Sequence, residues 1–133
     1  MSDPAQSAYH EEAIVTIPEG AFGGGVFFKP LPVGKRLVVQ YASVRIELPP
    51  GQTGRANLVT RLNGKVASHH FPVFHQGVIV GSPTNRDAYI GGLAMPVYQD
   101  GGPPAPAIAL SRSAADGKAQ AFGTISGYLV DIP

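Results

Sequence analysis

Cysteine is absent from the chain. That excludes disulfides, zinc–thiolate sites, iron–sulfur clusters and a cysteine nucleophile. Tryptophan is absent too, and charge is sparse: Asp, Glu, Lys and Arg together make up 14% of the residues, below the usual quarter. So lightly charged a surface leaves more area free for contact with other chains, and it makes a homo-oligomer as natural an expectation as a monomer with a neutral polar coat. The net charge is +1 and the basic residues are scattered singly, with no concentrated patch of the kind that binds nucleic acid. No apolar run approaches the ~18–20 residues of a membrane-spanning helix. Residues 1–7 lack the basic start and apolar stretch of a signal peptide. A cytoplasmic protein and a mature segment with an added initiator Met both fit that start, so the sequence assigns no compartment.

What is present is a rhythm. Apolar residues make up 44% of the chain, enough for a core, and 133 residues suit one domain. Short runs rich in Val, Ile, Phe and Tyr alternate with Gly/Pro clusters, and no stretch has the period of a long helix. The expected organisation is a flexible segment over 1–11 and one β-sandwich domain over 12–133. About eight strands are expected, in two antiparallel sheets of jelly-roll or Greek-key type. Hairpins and long loops alternate, with no connection long enough for repeated helical crossovers. The pattern resembles the broad jelly-roll group, which includes lectins, capsid proteins and trimeric cytokine-like modules. The resemblance is one of strand pattern, with no specific signature.

The clearest strand covers 36–48. Alternation puts Val38, Gln40, Ala42, Val44, Ile46 and Leu48 on one face and Leu37, Val39, Tyr41, Ser43, Arg45 and Glu47 on the other. Its first half is apolar on both faces. A strand over 55–62, the pair Asn63-Gly64 and a return from Lys65 to about Phe74 make a hairpin, because a type I′ turn needs positive φ at both central residues. Gly20 to Gly25 read as a flexible loop. Asp116-Gly117 predicts a second hairpin between 107–112 and a last strand over 119–131. Within that last strand, Ala119, Ala121, Gly123, Ile125, Gly127 and Leu129 form a mostly small face, expected to pack under the Phe and Tyr residues of the facing sheet.

Chemical motifs are few. His69, His70 and His75 lie within seven residues. On one extended strand His69 and His75 would stand about 20 Å apart, while His69 and His70 would point to opposite faces. Metal binding needs imidazoles converging at ~2 Å, so no metal or other cofactor is assigned. The His-His pair also lacks the H-x-H and following Glu of cupin-type jelly rolls. No G-x-S-x-G elbow occurs, Ser126 sits mid-strand, and the acids fall mostly in turns or near the termini, where capping or solvation explains them. The glycine loops precede no helix start, so phosphate-binding loops are not expected.

What remains is a loop surface that combines aromatic faces with short polar groups: Asn85, Arg86, Asp87, Tyr89, Tyr98, Gln99 and Asp100. Rings that stack on C–H faces beside amides and carboxylates suit sugars. The chain is therefore expected to be a non-enzymatic, lectin-like binding module for a glycan or other small ligand, acting through loops around 82–89 and 98–106. The rival expectation is an assembly protein that self-associates through apolar strand faces, sensitive to charges placed at Val39 or Tyr41.

Overall fold

The computed structural model describes residues 8–81, 85–94 and 96–132. Among them are ten strands: β1 (Ala8–Ile17), β2 (Gly23–Phe27), β3 (Lys35–Leu48), β4 (Gly54–Leu62), β5 (Lys65–His70), β6 (Val73–Ile79), β7 (Arg86–Leu93), β8 (Val97–Asp100), β9 (Ala107–Arg112) and β10 (Ala119–Asp131). Sheet A runs β1-β10-β3-β7-β6, with β8 beside β7 along the same edge of β3; sheet B runs β2-β9-β4-β5. All recorded pairings are antiparallel. The pairs β1·β10, β2·β9, β3·β7 and β4·β5 nest inside one another along the chain, as in one long hairpin rolled over itself. That is the jelly-roll connection of a two-sheet sandwich, and β6 adds a strand at the edge of sheet A.

The core lies between the sheets. Val44, Ile46, Leu48, Ala121 and Ile125 of sheet A meet Val26, Ala56, Leu58, Ile108 and Leu110 of sheet B, all buried. The small face of β10 does pack closely at Gly123, but the nearest side chains are the aliphatic Ile108 and Val26 rather than Phe or Tyr. A Cβ on Gly123 would stand 2.8 Å from Ile108 Cδ1 and 3.1 Å from Val26 Cγ1, so the glycine makes room for those two side chains. The Asn63-Gly64 turn also forms as expected, with φ of 52° and 77°, and it fixes the β4–β5 register.

Several boundaries differ from the sequence expectation. Strand β1 begins at Ala8, so residues 8–11 pair with β10 rather than belonging to a loose segment; residues 1–7 lie outside the described residues. Glycines 23–25 are not loop but strand, paired with β9. The expected strand from Lys65 to Phe74 breaks at Phe71-Pro72. Phe71 is buried and its N–H donates to Ala56 O, and the chain then leaves sheet B for β6 of sheet A. Breaks of this kind raise the strand number from eight to ten.

The Asp116-Gly117 turn does not close a hairpin. Strand β9 pairs with β2 and β4 in sheet B, while β10 pairs with β1 and β3 in sheet A. Buried Arg112 gathers this corner. Its guanidinium donates to the carbonyls of Pro18, Ala21, Ala115, Asp116 and Gly117 and to Gln52 Oε1. The facing pattern of β3 is also reset part-way along. Tyr41 pairs with Ser126 and Val39 with Gly127, leaving Gln40 as the extra residue of a bulge. Parity flips there, so Leu37 and Val39 join Ala42, Val44 and Ile46 in the core, while Val38 and Tyr41 face outward.

Candidate functional site

The residues expected to bind ligand fall into two groups at opposite ends of β3. Asp87 pairs with Leu48 and Asp100 with Arg36, twelve positions apart along that strand, or ~40 Å at ~3.3 Å per residue. Residues 82–84 of the first loop lie outside the described residues.

In the first group, Asn85 Oδ1 accepts from Gly81 N at 3.4 Å, and Arg86 Nη1 reaches Gln120 Oε1 at 3.4 Å and Glu47 Oε1 at 3.9 Å. Asp87 accepts from Gly51 N at 2.9 Å and contacts His75 Nε2 at 3.2 Å, and these bonds hold its carboxyl below the usual carboxylate range. Tyr89 donates to Gln52 O at 2.9 Å, and its ring meets His75 edge-on at 5.3 Å. Desolvation, then the Asp87 charge, push the Tyr89 hydroxyl up.

In the second group, Asp100 is buried between Arg36 Nε at 2.6 Å and Asn63 N at 2.7 Å; the Arg36 bond is the main cause of its lowered pKa. Gln99, 1% exposed, accepts from Arg61 N and donates to the carbonyls of Asp100 and Pro104, which pins the 101–106 loop against the sheet. Tyr98 alone of this group turns outward, on the outer face of sheet A. There it pairs with Val38, which in turn pairs with Tyr128 on its other side.

The three histidines have three different partners. His69 bonds Thr60 Oγ1 at 3.0 Å, His70 Nδ1 bonds Asn57 Oδ1 at 2.7 Å, and His75 bonds Asp87 on the other sheet. Among the described residues no three His, Cys, Asp or Glu side chains group to hold a metal ion.

A large concavity lies where no loop motif pointed, on the outer face of sheet B. A groove of about 560 Å³ is lined chiefly by Phe27, Val59, Val66, Pro104, Ala107 and Ala109, with Arg61 in its wall. Alternation along β4 sets its floor: Ala56, Leu58 and Thr60 are buried, so Asn57, Val59 and Arg61 face out. Beside the groove, sharing Ala109 with it, lies a polar hollow of about 260 Å³ formed with Arg55, Asn57, His70 and Ser111. Arg61 Nη2 donates to Gly101 O at 2.8 Å, while its Nε is buried with no partner. The strands of sheet B carry four cations, Arg55, Arg61, Lys65 and Arg112, and no carboxylate. Those of sheet A carry six carboxylates against four cations. Sequence reading missed this asymmetry, because it emerges only once the strands are sorted between sheets. No protein-family model and no curated protein matches the chain.

Proposed function

We propose that this chain is a non-enzymatic binding module whose ligand lies on the outer face of sheet B. The observation that carries the reading is the open groove there. Its volume falls in the ~300–1,000 Å³ range of small-molecule sites, and its apolar lining carries a few fixed polar groups, the usual make-up of such sites. Most of the polar loop residues, by contrast, already bond to their own chain. The test is titration with the neutral dye Nile red. Emission should rise and shift to the blue with the native chain, and Ala109→Trp, which fills the exposed groove, should weaken binding about tenfold or more with the unfolding midpoint unchanged. Equal response from both proteins would refute this placement. A glycan remains the ligand class for the other face, where Tyr98 and Tyr128 flank Val38; a glycan array with the Tyr98→Ala variant tests it.

A second reading, self-association, is favoured by one row across the outer face of sheet A. Ile14, Phe122, Arg45, Ile90 and Phe74 are consecutive cross-strand partners, with Ile14 58%, Ile90 40% and Phe74 65% exposed. Exposed apolar side chains gathered on a sheet face mark contact surfaces, and here they lie on either side of Arg45. Val39 is in the core, so a charge there would unfold the chain rather than separate subunits; Ile90 and Tyr41 are the positions that test assembly.

A further inference from the structure

We infer that the groove on sheet B takes a single-chain amphiphile with an acidic head, a free carboxylate of the fatty-acid class, lying along β9. This rests on the binding-module reading above and names its ligand.

The argument is one of shape joined to charge. The apolar groove and the polar hollow meet at Ala109, so the two form one track along the outward residues of β9: Ala107, Ala109 and Ser111. From Ala107 to Ser111 the track extends ~13 Å at ~3.3 Å per residue. At its apolar end stand Phe27, Val59 and Val66, of which Phe27 is 74% and Val66 63% exposed. At its polar end stand Arg55, Asn57, His70 and Ser111.

Arg55 is exposed and takes part in none of the ion pairs among the described residues. Arg61, at the other end of the outward face of β4, already holds the 101–102 carbonyls. Arg55 is therefore the arginine of the hollow free to receive a head group, and a guanidinium matches a carboxylate with two parallel N–H bonds. The strands of sheet B carry no carboxylate to compete for it or to repel an anion. The long apolar tail would cover Phe27 and Val66, which otherwise face water.

Calorimetric titration with dodecanoate, dodecanol and dodecyltrimethylammonium, all below their aggregation limits, tests the inference. Dodecanoate should bind at one site. Dodecanol should bind about tenfold or more weakly, the cationic analogue more weakly still, and Arg55→Gln should bring dodecanoate down to the level of the alcohol. Equal binding of dodecanoate and dodecanol would overturn the acidic-head assignment and leave the binding module standing. Failure of all three, together with failure of Nile red, would remove both. Binding only to vesicles of phosphatidylglycerol, with none of free dodecanoate, would contradict the ligand class by making the surface a membrane contact.

Discussion

Arg112 has 5% of its surface exposed, and its guanidinium bonds the carbonyls of two separate loops, 18–21 and 115–117, besides Gln52. A methionine there would keep the bulk and leave six acceptors without their donor, and an acceptor left unsatisfied away from water costs about 1–3 kcal/mol before relaxation and water entry. Arg112→Met should therefore lower stability by about 3–5 kcal/mol, read as the shift in urea midpoint; a change below ~1 kcal/mol would show that the corner closes without it. Sequence alternation contained the clue, because Arg112 continues the inward parity of Ile108 and Leu110. A lone arginine at a strand end nevertheless looks like any surface charge until the loops around it are placed. Asp100 makes the second prediction at this scale. Its pKa is lowered, so the stability it adds is present above the ordinary carboxylate value of ~4 and is lost as pH falls through the lowered folded value. Unfolding midpoints should fall on acidification below about pH 4, and Asp100→Asn should flatten that dependence. An unchanged slope would place the acid sensitivity elsewhere, with Asp87 and Asp131 the other lowered carboxylates.

Strand β10 pairs with β1 on one side and β3 on the other, and its small inward face sets how closely the sheets approach. Gly123→Val would drive a side chain into Ile108 and Val26. Overpacking of this kind costs about 1–3 kcal/mol, and the thermal midpoint measures it; no loss would mean the sheets can part locally at no cost. The long strands and the Asn63-Gly64 turn were legible because alternation and turn chemistry act within a few residues. The break at Phe71-Pro72, the bulge at Gln40 and the crossing at 113–118 were not. Each is decided by a distant partner: Ala56 O for Phe71, the β10 register for Gln40, and the Arg112 cluster for the crossing. The candidate site was only partly legible for the same reason. Alternation along β4 puts Val59 and Arg61 on one face, but nothing local brings them beside Phe27, Pro104 and Ala109.

Across the whole molecule, the two outer faces differ in kind. Sheet A carries the paired charges and an apolar row centred on Arg45; sheet B carries unopposed cations and the groove. If the row on sheet A joins two copies, sedimentation should show a dimer that Ile90→Lys converts to monomer; a native monomer would dismiss the assembly reading without touching the groove. The measurement that bears most directly on the central claim is backbone amide shift mapping during a dodecanoate titration. The account predicts saturable shifts concentrated at Phe27, Arg55, Val59, Ala107 and Ala109. Shifts confined to 85–89 and 98–100, or none at saturating ligand, would contradict it.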